Sequence, residues 1–234
     1  MAPSYFCFLL IYYCFSERGS FLPFNFLKLG FSVIAVFALS FGPFVLGGGL
    51  DQVKQIMSRM FPFERGLTHA YWAPNFWAIY NTVDKFAALV ASKVLKNVNI
   101  GSASLTGGLV GLDQGTHAIL PTVKPIVTIL LSMGSSFIIS CIIVMKQRAK
   151  MSSLSTTTRA KHYEQYKSVL LSCIVHSTLA NFYFGWHVHE KAILMILVPL
   201  VLMIVSNEAE GEKKLGGSDV HMEWRHIFGF LSFV

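Results

Sequence analysis

The stretch Phe184-Gly-Trp-His-Val-His-Glu-Lys-Ala-Ile-Leu194 places two histidines, a glutamate and a lysine between two apolar runs. Ionisable groups are costly at membrane depth, so the cluster His187, His189, Glu190 and Lys191 is a candidate functional site. Its natural chemistry is anion binding: Lys191 and a protonated or hydrogen-bonding histidine can hold a phosphate through charge-assisted bonds. A metal centre fits less well. The His-Glu-x-x-His pattern sets its imidazoles four residues apart on one helix face, whereas His187 and His189, two apart, would diverge on a helix. The competing reading is a polar helix turn with solvated charges, Lys191 reaching the headgroup level along its apolar stem.

A second candidate lies in Phe61-Pro-Phe-Glu-Arg-Gly-Leu67 and His69-Ala-Tyr-Trp-Ala-Pro-Asn-Phe-Trp77. Arg65, His69 and Asn75 are potential donors to a phosphate or to sugar hydroxyls, and Trp72 and Trp77 have faces on which a sugar ring could stack. The alternative is an aromatic belt at the membrane interface. Glu64 beside Arg65 reads as an ion pair. Neither Glu64 nor Asp84 has a partner at the spacing of an acid/base pair.

The elements that must position these residues are apolar. Of 234 residues 53% are hydrophobic and only 13% charged, against roughly a quarter charged in soluble domains, which points to a membrane protein. The formal charge is +7, but the basic residues flank apolar spans. They read as topology and lipid-headgroup signals, not as a nucleic-acid surface. Cys7, Cys14, Cys141 and Cys173 lie inside apolar runs without CxxC spacing, so they read as small packing residues and not as zinc ligands or a disulfide framework. Gly47-Gly48-Gly49 lacks the Gly-Lys-Ser/Thr of a phosphate loop and reads as a flexible helix end.

In chain order, residues 1–15 reach about 22 Å as a helix, short of a hydrocarbon core of about 30 Å. They read as the end of a span whose beginning is missing. Residues 26–46 form a full span, closed by Pro43 and the glycine triplet. Residues 51–117 form a long extramembrane stretch in which a helix starts at Phe76, capped by Asn75. Its apolar residues Ile79, Val83, Phe86, Val90 and Val94 have helical spacing, and Asp84 and Lys85 in its middle predict a helix lying along the interface. Residues 126–145 are the second clear span. Loop 146–167 carries Lys146, Arg148, Lys150, Arg159, Lys161 and Lys167 against Glu164 alone, which marks it as cytoplasmic. Residues 168–186 cross back, so both polar motifs face the non-cytoplasmic compartment. Residues 192–205 are about 21 Å long as a helix, short for a span unless the membrane is thin there or His187–Lys191 sits partly at membrane depth. Residues 206–226 read as a polar tail and 227–234 as the start of another apolar run.

The two motifs together, in this order, resemble the dolichyl-phosphate-glucose-dependent α-1,3-glucosyltransferases of the endoplasmic reticulum. The resemblance covers roughly residues 1–205. The forms His69-Ala-Tyr-Trp-Ala-Pro-Asn-Phe-Trp77 and Gly185-Trp-His-Val-His-Glu-Lys191 are more similar to the member that adds the second glucose to the lipid-linked oligosaccharide. The resemblance implies an all-α, polytopic membrane protein with part of a GT-C fold: about four spans over 1–205 with luminal loop 51–117, then a polar tail and further apolar segment over 206–234. It implies an inverting enzyme at the luminal face of the endoplasmic reticulum membrane, with a dolichyl-linked sugar donor, a lipid-linked oligosaccharide acceptor, membrane lipids as surroundings, and no cofactor, metal or nucleic acid. His187, His189, Glu190 and Lys191 match the family's His-Glu-Lys region and are expected to contact donor phosphate or sugar. The general base is expected on an acidic luminal loop upstream. Nothing in residues 1–50 supplies it, so no catalytic residue is assigned within this chain, which reads as a middle-to-late portion of the enzyme. Two other classes remain: a transporter with an intramembrane His/Glu/Lys relay, which would predict internal repeats that are not found, and a non-catalytic membrane protein.

Overall fold

The computed structural model describes residues 1–16, 19–61, 63, 66–68, 73–94, 117–152 and 159–214, with side chains over 117–150 and 165–206 in the last two blocks. Every regular element among them is helical, as expected: α1 (Ala2–Tyr13), α2 (Pro23–Met60), α3 (Phe76–Val94), α4 (Pro125–Ser152), α5 (Arg159–Phe184) and α6 (Leu194–Lys214), with a 3-10 turn at Glu190–Ile193.

The bundle is built where α4, α5 and α1 meet. On α4, Thr128, Ser132, Ser136, Ser140 and Val144 recur every fourth residue and are all buried. Side chains four apart share one helix face, and small ones let helix backbones approach closely. The facing seam on α5 has the same period: Val169, Cys173 and Ser177 are buried and Asn181 continues the row. Several hydroxyls in this seam bond to nearby carbonyls, as a low-dielectric surrounding demands, whereas Ser177 Oγ is buried with no hydrogen-bond partner. Ser136 Oγ donates to Ser132 O at 2.6 Å, and Asn181 Nδ2 donates to Ser177 O at 2.6 Å and Ser136 Oγ at 3.4 Å.

Helix α1 closes the triad through the same small residues. Ser4 Oγ donates to Cys173 O at 2.8 Å and lies 3.1 Å from Ser140 Oγ. Cys7 Sγ lies 3.1 Å from Cys141 Sγ. Cys7, Cys14 and Cys173 are buried and Cys141 half-buried, each a free thiol in a packing position. The guanidinium of Arg148 donates to the carbonyls of Ile11 and Ser16, so a residue counted as a topology signal also serves the C-terminal end of α1.

Among the described residues two helices, α2 and α4, are long and apolar enough to cross a membrane. Helix α2 is exposed all round, with Phe24, Ile34, Val36 and Val33 on different sides of it. It also corrects an expectation. The glycine triplet does end a helical segment, since Gly48 and Gly49 leave helical geometry, Gly49 at φ +68°, but a second helical segment follows through Met60, so residues 51–60 are helical and not loop. Helix α5, at 26 residues, has the length for a span at about 39 Å but not the apolarity, because its seam and neighbouring positions carry Ser172, His176, Ser177, Thr178 and Asn181. The 192–205 run lies inside a longer helical stretch that begins with the 3-10 turn and continues through Lys214, so the first part of the polar tail, 206–214, is helical.

Candidate functional site

Helix α5 ends where Gly185 N–H donates to Asn181 O at 2.9 Å. A Cβ at position 185 would overlap that carbonyl oxygen and approach Val188 Cγ2 to 2.8 Å, so the turn requires glycine. Two residues on, His187 adopts φ +52°, the one positive φ outside glycine among the described residues. Histidine enters this region more readily than most side chains. His189 is extended, and the 3-10 turn Glu190–Ile193 comes next. The separation of the two imidazoles is therefore set by a turn, not by the helix spacing first expected.

The turn reaches the other motif. His187 N–H donates to Leu67 O at 2.9 Å, and His187 Nδ1 lies 2.8 Å from Gly66 O. A carbonyl oxygen only accepts, so Nδ1 carries the proton. Trp186 meets Phe63 edge-on, with ring centroids 6.5 Å apart. Leu67 and Thr68 are buried. Segments about 120 residues apart thus share one small region. Below it, Val188 and Ala192 pack on the core of Ala73, Val175, Phe182 and Ile196. His189, Glu190 and Lys191 stay exposed. His189 Nδ1 pairs with Glu190 Oε2 at 2.9 Å, both side chains 46% exposed. Glu190 also stands in the first turn of a helical run, where the backbone dipole favours a negative charge.

Helix α3 supplies the floor on the other side of Thr68. Asn75, buried, caps it: Asn75 Oδ1 accepts Ala78 N–H at 3.1 Å, as its position before the helix predicts. Trp77, Asn81 and Asp84 stand at i, i+4 and i+7 and are buried on one face. Asn81 Nδ2 donates to Thr68 Oγ1 at 3.0 Å, and Asn81 Oδ1 accepts His117 Nε2–H at 3.0 Å. Asp84 Oδ2 accepts Ala118 N–H at 2.9 Å, while Oδ1 accepts Ile119 N–H at 2.9 Å and Leu120 N–H at 2.7 Å. Tyr80 OH donates to Pro121 O at 2.9 Å. Burial pushes the Asp84 carboxyl up, but the three backbone N–H groups together with His117 outweigh it and hold Asp84 below its ordinary range. Burial draws His117 down, the Asp84 charge offsetting only part of that. Burial and Asp84 together raise Tyr80.

The opposite face of α3 is apolar and open: Ile79, Val83, Phe86, Leu89 and Val94 are all at least half exposed. That is the face a bilayer would cover. Trp77 does not offer a stacking face for a sugar, contrary to the expectation from the loop sequence. It is 2% exposed and held edge-on against Phe76 and Tyr80.

Arg65, His69, Trp72 and the Glu64–Arg65 pair lie outside the described residues. Among the described residues, no three metal-ligating side chains converge. Sequence reasoning missed Thr68, Asn81, Asp84, His117 and Gly185. The signal for the α3 residues was present: a buried polar stripe at Trp77, Asn81 and Asp84, read only as an interruption of the apolar pattern.

Comparison with known proteins gives these motifs a setting. The chain is 41% identical over 211 residues to the probable dolichyl pyrophosphate Glc1Man9GlcNAc2 alpha-1,3-glucosyltransferase of Drosophila melanogaster, covering 90% of this chain and 36% of that protein. It is 38% identical over 207 residues to the Schizosaccharomyces pombe protein described as dolichyl pyrophosphate Glc1Man9GlcNAc2 alpha-1,3-glucosyltransferase, covering 87% and 36%. To the Mus musculus protein of that description it is 37% identical over 220 residues, covering 90% and 38%. The chain thus spans little more than a third of the length of these relatives. No solved structure matches it. The profile of the ALG6, ALG8 glycosyltransferase family matches residues 1–215, which contain both polar motifs, and the chain belongs to that family.

Proposed function

We propose that the chain forms part of an endoplasmic-reticulum membrane enzyme that transfers glucose from dolichyl phosphate glucose to a lipid-linked oligosaccharide. The acceptor already bears one glucose and the new linkage is α-1,3. The observation that carries this reading is the junction of Gly66–Leu67 with His187, which joins two polar motifs that both lie within the family match. The second-glucose assignment is supported by the relatives' descriptions, which specify an oligosaccharide carrying a single glucose. Residues 1–205 then contribute about four spans of a multi-span GT-C domain with the stretch 51–117 on the luminal side, and 206–234 carry the chain past the last of those spans.

In this reading the donor phosphate lies against the turn 187–191. As the bond to the anomeric carbon breaks, negative charge develops on that phosphate, and Lys191 stabilises it electrostatically, with His189 beside it on the turn. Glu190 holds His189 in place through its Oε2, 2.9 Å from Nδ1. His187 lines the same turn. Arg65, His69 and Trp72 are assigned to the sugar side, and Asn75 fixes the start of α3. The base that takes the acceptor proton is not assigned to these residues. Asp84 does not suit the task, because both its oxygens accept backbone N–H groups and its carboxylate is held weakly basic.

The test is expression of the reading frame that contains this chain in cells that accumulate the monoglucosylated lipid-linked precursor. Appearance of the diglucosylated product supports the assignment, and its absence refutes it. In membranes from such cells, Lys191→Ala is expected to raise the donor KM about tenfold, the equivalent of one charge-assisted hydrogen bond.

A further inference from the structure

We propose that His187 is a positioning residue, a latch that fixes the aromatic loop against the turn 187–191 and acts on the reaction through that loop. The inference rests on the function proposed above.

Both donors that tie His187 to the loop come from that one residue. Its backbone N–H takes the Leu67 carbonyl and its Nδ1–H takes the preceding carbonyl, Gly66. Two bonds to consecutive peptide groups fix the orientation of a segment as well as its distance, which a single bond does not. The backbone conformation is matched to this: φ +52° at His187 sets the imidazole and the following turn relative to that N–H, and the close passage at Gly185 admits no side chain. The latched segment is held from its other side by Thr68, whose hydroxyl accepts from Asn81. The loop is therefore clamped between α3 and the turn, and His187 is the jaw on the side of His189 and Lys191. A residue whose duty was to present charge to a phosphate would not need its backbone N–H and Nδ1 on carbonyls.

The two readings of His187 separate by which ring nitrogen matters. An asparagine amide nitrogen falls where Nδ1 stands and tolerates the left-handed backbone, whereas a glutamine amide falls where Nε2 stands. If His187 is a latch, His187→Asn keeps kcat and donor KM close to the unsubstituted enzyme. His187→Gln and His187→Ala lower kcat on the order of 100-fold, the scale of a small misplacement of the reacting groups, with donor KM little changed. If His187 is a phosphate ligand instead, Gln outperforms Asn and the loss appears in donor KM, and the latch is refuted. A second measurement needs no substrate. Hydrogen exchange of the His187 amide in the membrane-embedded full-length protein is expected to speed up in the Ala and Gln variants and not in Asn. Equal protection in all three overturns the proposal. Because exchange is read without turnover, it stands or falls apart from the glucosyltransferase assignment. A His187→Ala protein that fails to fold leaves the Asn and Gln pair to decide.

Discussion

Replacing Asp84 with alanine removes the acceptor of three consecutive backbone N–H groups, those of Ala118, Ile119 and Leu120, from a carboxylate with no exposed surface. A buried donor left without its partner costs about 1–3 kcal/mol. These three sit on half-buried or exposed residues, so water reaches them once the segment lifts, and the low end of that range applies to each. The sum is about 3 kcal/mol in favour of the lifted state, roughly a 100-fold change in the local opening equilibrium. Hydrogen exchange of the Ile119 and Leu120 amides in lipid nanodiscs reads that equilibrium directly, without requiring the whole protein to unfold in one step. Asp51→Ala is the control. Its carboxylate pairs with Lys54 at 3.1 Å, but the two side chains are 90% and 79% exposed, and such pairs contribute little. Exchange at 119 and 120 that is the same in Asp84→Ala as in the unsubstituted protein would refute the claim that this carboxylate holds the segment.

Three further outcomes are expected. Gly185→Ala forces a methyl group onto the Asn181 carbonyl and Val188; it should destabilise the turn by about 1–3 kcal/mol, the scale of overpacking, seen as faster exchange of the His187 amide. Ser136→Leu pushes a branched side chain into the fully buried α4–α5 seam; a similar loss of about 1–3 kcal/mol should lower the thermal midpoint in detergent, whereas Ile138→Ala on the outer face should not. The third concerns pH. His117 has its imidazole pKa lowered in the folded protein, so the unfolded or lifted state takes up a proton first as pH falls below the ordinary value of about 6.5. Docking of 117–121 is then fully stable above that value and weakens as pH falls below it. Asp84 stays ionised and Tyr80 neutral across this window. His117→Gln should flatten the exchange-versus-pH curve at Ile119, and an unchanged slope would sink the assignment.

The parts legible in the sequence were those whose cause is local. Asn75 announces α3 because capping needs only a side-chain oxygen and the N–H three residues on. The four-residue period of Ser132, Ser136 and Ser140 was equally local, yet it went unread because the strong hydropathy of the 126–145 run masks it. Helix α2 was cut short at the glycine triplet because glycine is a poor helix former on average; that average cannot tell an end from a break after which a helix resumes. The junction of the two motifs was out of reach for a different reason. The partners of His187 are the carbonyls of Gly66 and Leu67, and backbone groups leave no mark in residue identity. The stripe of Asn81 and Asp84 on one face of α3 marks the carboxylate as buried, but what it binds was hidden in the same way, since its three partners are backbone amides.

The break in α2 has a mechanical consequence. The part from Pro23 to Gly47 is about 37 Å long as a helix, longer than a hydrocarbon layer of about 30 Å, and a span longer than its bilayer relieves the mismatch by leaning. In a rigid rod that lean would sweep the far end, Met60, sideways and carry the motif at Phe61 with it. The left-handed Gly49 and its neighbour Gly48 act as a universal joint between the leaning mast and the arm Leu50–Met60. A change in the pitch of the mast in a thinner or thicker membrane would then be taken up at Gly48–Gly49, and the arm that leads to Phe61 would not have to follow it.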